Sequence, residues 1–561
     1  MLIMKNSFLV ALLLAGAFIQ TSAVYGKGIP ERDYKIAVVL FNEAEYEAAE
    51  NKFSIVIQQG DPAIPEAAAY VVNSYYGRAS CEIEEGRKFK SDKKFKEAMA
   101  KYEKAYEDLS TFKSKFAELQ EILKPDTLYE EMEKHFVLLS DQMVQLAGEA
   151  GDIAFNQKEY DKAVAWYDRG LKLIDPKTSL YGNLLYAKAD AVFQLDQYQE
   201  ALRLLTRFED ELSDHELACK ALFYEGDIYR MMAEMSSDSK DKEKNLEKAC
   251  DVYGRVVTQQ SEVIGAANLD LVKMALLEKG RCEKQLGRME EALADFKKIA
   301  TDYPDTRYEA DALLEIGNYS FNAKQYNVAI LNFDRAVKVA KSLDLPELMA
   351  ISYYWMGWSY FSEGSRIDTQ SSPEMIKQSK NLYEKSIDAF QESINSSDKF
   401  WKKEGREIQM AKELEGYYGE SIFMIGRCYE RLQKWDDAIK TFEGIPVTQQ
   451  KWRLKGLAEI ALSKERKGDI AGSLAKWDEL KRELSLTKVP DIELELLMRR
   501  ADSIFDLQRY PEAEKSYREI ITNYPGSPEE VRARVNLGLS LFKQDKSLSL
   551  IHISEPTRQA E

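Results

Sequence analysis

The stretch Gly280–Thr306, "GRCEKQLGRMEEALADFKKIATDYPDT", decides how the rest of the chain is read. Gly280 stands twelve residues before Ala292, and Phe296 follows that alanine by four. The same arrangement returns 37 residues later in "GNYSFNAKQYNVAILNFDRAVKVA", with Gly317, Tyr326, Ala329 and Phe333 in the corresponding places. Helical spacing puts Ala292 and Phe296 on one face, and likewise Ala329 and Phe333. A small residue on one helix and an alanine on the next allow two antiparallel helices to approach closely. The aromatic is then expected to fill the wedge between that pair and the following pair.

Working outward, the markers recur along the chain. Gly151, Tyr160, Ala163 and Tyr167 make one copy. Ala189, Tyr198 and Ala201 make another, with Leu205 for the last aromatic. Gly426, Trp435, Ala438 and Phe442 follow, then Ala501, Tyr510, Ala513 and Tyr517. Ile470, Ser473 and Trp477 form a weaker copy. Ala37, Tyr46, Ala49 and Phe53 fit near the start, Phe95, Ala98 and Tyr102 fit half a unit, and Gly538 opens another. Such hairpins cannot bury their apolar faces alone and gain the missing surface by stacking. With glycine and proline sparse in the periodic stretches and little alternation of strand type, an all-α solenoid is expected.

Two units carry inserts, near 231–245 ("MSSDSKDKEKN" within it) and near 362–380 ("EGSRIDTQSSPEMIKQSK"). Their serines and charges read as excursions on one edge, either loops or lengthened helices, with tolerated surface insertion preferred. Residues 107–146 lack the full marker set. They are expected to form an irregular helical pair broken at Pro125 and capped by Asp126, dividing N-terminal repeats (27–106) from the main array (147–546).

The ends stand apart. Residues 1–26 combine Lys5, an apolar run from Phe8 to Phe18 and small residues at Ser22, Ala23 and Gly26, the layout of a cleaved secretory signal peptide. Residues 548–561, "LSLIHISEPTRQAE", are expected to be non-native: Leu548–Arg558 is what a common transposase-adapter DNA would encode. On that reading the native C-terminus, with any further domain, is missing.

Composition excludes several classes of function. There are 95 acidic against 78 basic residues, a net charge of -17, so a phosphate backbone is repelled over most of the surface and nucleic acid is not an expected partner. The five cysteines form no CxxC pair, and Cys282 and Cys428, two residues after repeat glycines, read as small buried hydrophobes. Of three histidines, His135 is expected at a helix surface or half buried, His215 lies at a turn, and His552 falls in the tail. No zinc-ligand spacing, phosphate loop, dinucleotide glycine pattern or nucleophile elbow is present. Glu415 and Glu420 are the nearest thing to an acid–base pair. No catalytic residue, cofactor or metal is expected.

The segments "GDIAFNQKEYDKAVAWYDRGLKLIDP", "GRCEKQLGRMEEALADFKKIATDYP" and "ADSIFDLQRYPEAEKSYREIITNYP" resemble the tetratricopeptide repeat family. The resemblance implies a right-handed αα superhelix. "TDYPDTRYEADALLEIG" and "TNYPGSPEEVRARVNLG" look like the exported bacterial subgroup of outer-membrane assembly proteins and periplasmic coordinators of envelope constriction. No lipid-attachment cysteine follows the leader, which counts against the lipoprotein members. The resemblance further implies a groove lined by the first helix of each pair, with the residue after each glycine or alanine facing it. Those residues are Asp152, Asp190, Asp227, Arg281, Asn318, Trp358, Arg427 and Asp502, joined by Asn156, Asn322 and Arg431. The early part of this groove reads as acidic; the later part, with Arg427 and Arg431 one turn apart, reads as suited to an acidic peptide. A carboxylate clamp is incomplete here, since Asn318 and Asn322 lack the accompanying lysines. The expected function is a non-enzymatic scaffold or adaptor in the periplasm, binding proteins or extended peptides, among them envelope or outer-membrane assembly components, with peripheral membrane association left open. The alternatives are a self-assembling oligomer and a regulatory or substrate-delivery arm of an enzyme.

Overall fold

A computed structural model describes residues 30–544, apart from 62, 121, 123–126, 260–268, 370–371, 406–408 and 488. The expected signal peptide, the Pro125 break with its Asp126 cap, and the tail 548–561 lie outside the described residues. Those residues form twenty-three α-helices and no strand. The chain divides into two compact units, Met1–Ala275 and Leu276–Glu561. Within each, a helix packs on its chain neighbours and on the next helix but one, the contact pattern of an α-solenoid.

The hairpin is built on a ring-over-glycine contact. A Cβ added to Gly280 would lie 2.7 Å from the Phe296 ring, and one on Gly317 would lie 2.4 Å from Phe333. Gly151 meets Tyr167 and Gly426 meets Phe442 in the same way. Ala163, Ala292, Ala329, Ala438 and Ala513 are fully buried, and Tyr517 is too. The aromatic therefore lies against the glycine of its own hairpin, and it also packs on the following pair as the spacing suggests: Phe333 shares a core cluster with Met356 and Ala389, and Tyr167 with Leu184 and Ala191. Glycine at that position leaves room for the ring, although alanine takes the same place at Ala501 opposite Tyr517.

The turn inside each hairpin repeats as closely as the helices. The residue two places before the second helix is left-handed at Ala44, Lys93, Lys158, Asp196, Lys324, Gln433 and Gln508, and at Gly287 and Gly468. Between hairpins, Thr306 accepts from the Glu309 amide at 3.2 Å while the Glu309 carboxylate takes the Asp305 amide at 2.7 Å. Ser527 and Glu530 build the same box before Pro528–Lys543.

Residues 107–146 do not form a separate irregular pair. They are divided between two long continuous helices, Phe95–Leu119 and Thr127–Asn156, the second of which runs on through Gly151. The reason is an unbroken apolar face: Ala98, Tyr102, Ala105, Leu109, Phe112 and Phe116 are all fully buried. His135 sits in this core and not at a surface. It stacks on Tyr76 with ring centroids 3.9 Å apart, its Nδ1 lies 3.3 Å from Asn73 Oδ1, and burial lowers its pKa to about 3.

The described residues of both inserts are largely helical, with a break at 236–238 in the first. Ala218–Met235 and Ser239–Gln259 make one lengthened hairpin; Pro346–Asp368 and Pro373–Glu404 make the other. In the second, Ser386 takes the alanine position and donates to the Gly357 carbonyl at 2.8 Å. Cys81, Cys250, Cys282 and Cys428 are buried, and Cys428 donates to Ser386 Oγ at 3.3 Å, with burial raising its pKa to about 12.

Candidate protein-binding groove

The residue after each small position emerges from the buried face of the first helix at its edge. In three hairpins whose ring is tyrosine, an aspartate accepts its hydroxyl: Tyr167 to Asp152 at 2.9 Å, Tyr253 to Asp227 at 2.7 Å, Tyr517 to Asp502 at 2.8 Å; Tyr102, against Gly86, donates instead to Glu149 at 2.7 Å. Where the ring is phenylalanine no hydroxyl needs an acceptor, and Arg281, Asn318, Trp358 and Arg427 appear instead. The aspartates of the supposed acidic groove thus satisfy buried phenols.

A second pattern links successive hairpins at five junctions. There the residue after the small position contacts the residue two before the small position of the next unit. Arg87 pairs with Glu149 at 2.9 Å, and Tyr224 donates to Asp190 at 2.8 Å. Arg281 meets Glu315 at 3.4 Å, Arg427 meets Glu459 at 2.8 Å, and Asn536 donates to Asp502 at 2.9 Å. Sequence reading missed these partners, although the fixed offset between two repeat frames was the signal that could have found them.

The ladder changes the electrostatics expected of the later groove. Arg281 is held by Glu278 at 2.7 Å as well as by Glu315. Arg427 also pairs with Glu430 at 3.2 Å, and Glu459 is shared with Arg499 at 3.0 Å. Burial and the adjacent Glu459 raise the pKa of Glu430 to about 7. Arg431 points away from this set, 3.8 Å from Asp368. Arg427 and Arg431 therefore do not converge as two unneutralised cations. Trp358 is half buried against Phe361 and Phe390, and burial raises the pKa of Glu420 beside it. Asn156 and Asn322 are exposed, one turn beyond Asp152 and Asn318. Asn318 differs from its neighbours: its side-chain oxygen is buried with no hydrogen-bond partner.

His215 is a structural residue. The Leu217 amide donates to its Nδ1 at 3.1 Å, which leaves Nε2 to donate to the Ser179 carbonyl at 2.9 Å. No group of acids, cysteines and histidines suited to a metal ion occurs among the described residues, and none of their helices is long and apolar enough to cross a membrane.

With this geometry in view, comparison with known proteins is specific in three places. One profile described as "Tetratricopeptide repeat" matches residues 274–306 and 420–445, and a second so described matches 491–548. Over these segments the chain carries tetratricopeptide repeat sequence. A curated relative, Hsp70-Hsp90 organizing protein 1 of Glycine max, is 24% identical over 194 residues, which is 34% of this chain. The chain spans only 28% of that relative's length. Among solved structures, Naa15/Naa10 bound to HypK-THB overlaps 93% of this chain and 75% of the matched chain, at 12% identity and a TM-score of 0.33. Yeast Tom70 overlaps 83% of this chain and 96% of its own, at 12% identity and a TM-score of 0.24. Neither superposition is close enough to carry an argument about this chain. No enzyme family is indicated by these profiles or by the curated relative.

Proposed function

We propose that this chain is a non-catalytic scaffold of the bacterial cell envelope, exported to the periplasm, that holds an extended segment of a partner protein against the first helices of its repeats. The observation that carries the reading is the repeat sequence itself, matched over 274–306, 420–445 and 491–548. Asn318 stands, half buried, on the first-helix position that lines the groove in this repeat family. Trp358, on the corresponding position of the next hairpin, offers an amphipathic face beside it. The repeat matches and the relative's name, an organizing protein, support protein partners. The envelope location rests on the leader-like residues 1–26 and on the repeat subgroup that the chain resembles.

The test is quantitative cross-linked affinity capture from a Gram-negative periplasmic extract, comparing the wild type with Asn318→Ala. Selective loss of one or a few partners is expected, with no fall in thermal midpoint. An unchanged partner set, or loss of binding only in step with loss of fold, overturns the reading.

A self-assembling oligomer is a second reading, and one feature favours it. Val531, Val535, Leu539 and Phe542 form an exposed apolar stripe on Pro528–Lys543. Light scattering coupled to size-exclusion chromatography separates the two readings. A concentration-independent monomer removes the second.

A further inference from the structure

The hairpin of Ala218–Met235 and Ser239–Gln259 overhangs its neighbour. From the small position to the helix end there are nine residues after Gly226 but five after Gly151 or Gly280. The second helix starts ten residues before Ala249, whereas Tyr160 and Met289 start three before their alanines. The extra turns project past the Tyr198–Glu211 helix and leave a cleft of about 620 Å³ between them. That volume is in the range of ligand-sized sites.

Its walls are of two kinds. Tyr198, Tyr229, Met232 and Met235 are apolar or amphipathic, and Met235 is 65% exposed. Methionines of this kind repack around varied side chains. Lys244 and Lys248 line the opposite wall one turn apart. Lys248 sits 4.8 Å from the centroid of the Tyr229 ring, and neither lysine has a carboxylate within salt-bridge distance among the described residues. Asp241 lies at the mouth, and Glu225 acts on Lys248 from the buried side. Arg203 also lines the cleft but is already paired with Glu200 at 2.6 Å.

From this arrangement we infer that the cleft is a second docking site, separate from the first-helix groove, for a linear partner segment that carries acidic residues beside a bulky apolar one. The inference rests on the scaffold reading and adds a partner chemistry to it. A chain of net charge -17 repels acidic peptides over most of its surface, so two lysines without a direct salt bridge among the described residues, beside an apolar wall, pick out a place where such a segment is attracted. The apolar residue enters between Met232 and Met235, and the acids meet Lys244 and Lys248.

The probe is a fluorescein-labelled peptide of glutamates interspersed with leucine and phenylalanine, followed by fluorescence anisotropy on the full chain at low and moderate salt. A control peptide replaces each glutamate with lysine. The acidic probe binds and the basic one does not, and added salt weakens the complex. The Lys244→Glu/Lys248→Glu double variant weakens it by at least about tenfold. Met235→Glu, at an exposed position, weakens it independently, while circular dichroism shows both variants folded. Failure of the acidic probe to bind, equal affinity for the variants, or preference for the basic probe overturns the inference. The scaffold reading survives any of these if Asn318→Ala still loses its partners in the capture experiment.

Discussion

A tyrosine hydroxyl and a carboxylate placed by adjacent helices do more here than decorate a groove. Tyr167 is buried and Asp152 is its acceptor, so Tyr167→Phe strands no new group in the core but removes a charge-assisted bond. A loss of about 1–2 kcal/mol is expected in urea denaturation, and no loss at all would show the hydroxyl to be idle. Glu82 carries a different signature. It is buried between Arg78–Asp108 and Lys101–Glu50, its Oε2 has no partner, and burial, then Asp108 and Glu50, raise its pKa from 4.5 to about 8. The folded state therefore holds a proton that the unfolded chain releases above pH 4.5. Stability from this residue is full below that value and falls as pH rises towards about 8, then levels off. Glu82→Gln removes the dependence, so the melting-temperature advantage of the variant grows from pH 5 to pH 8. A constant offset across that range contradicts the protonated Glu82. At this scale the sequence was legible for position and not for partnership. It set Asp152, Asp190, Arg281 and Arg427 after their small residues, but Tyr167, Tyr224, Glu315 and Glu459 reach them from other helices.

Elements were easier to read than their joints. The apolar period announced almost every helix, including those on either side of the 107–146 segment, where the missing glycine–alanine markers suggested irregularity although the burial pattern continued through Phe112 and Phe116. The inserts left loop and lengthened helix both open for a chemical reason: serine, lysine, aspartate and glutamate suit the two equally. The spacing of Lys240, Lys244 and Lys248 at every fourth residue was the available clue. The hairpin turns gave none, because lysine, glutamine and aspartate do not advertise a left-handed backbone. Lys324 has φ of 60°, a conformation that costs an L-residue with a Cβ about 1–2 kcal/mol. Lys324→Gly should thus stabilise the Arg307–Ser342 hairpin by about 0.5–1 kcal/mol after glycine's own entropy is subtracted. A lowered midpoint in thermal denaturation would contradict this account of the turn. Gly317→Ala runs the other way, since its methyl falls within 2.4 Å of the buried Phe333 ring, and a loss of about 1–3 kcal/mol is expected in the same assay.

Across the molecule, stability is a matter of neighbours. Trp477 is fully buried and donates to Ser503 at 2.9 Å, so Trp477→Ala opens a cavity that the flanking helices Gln450–Arg466 and Pro490–Asp506 share. Hydrogen exchange should quicken in those two helices and stay unchanged in Met289–Asp302 and Arg307–Asn322 of the same unit. A uniform loss of protection would instead mark one indivisible cooperative body. The five pairings between successive hairpins have one more consequence. Arg281 requires an acid ahead of it, Asp190 a phenol, Asp502 an amide. Modules cut from this protein are consequently not interchangeable beads: moved to a new place, each would present its polar half to a mismatched neighbour. Their order along the thread is written into these junctions, and a shuffled chain should assemble only where the halves happen to agree.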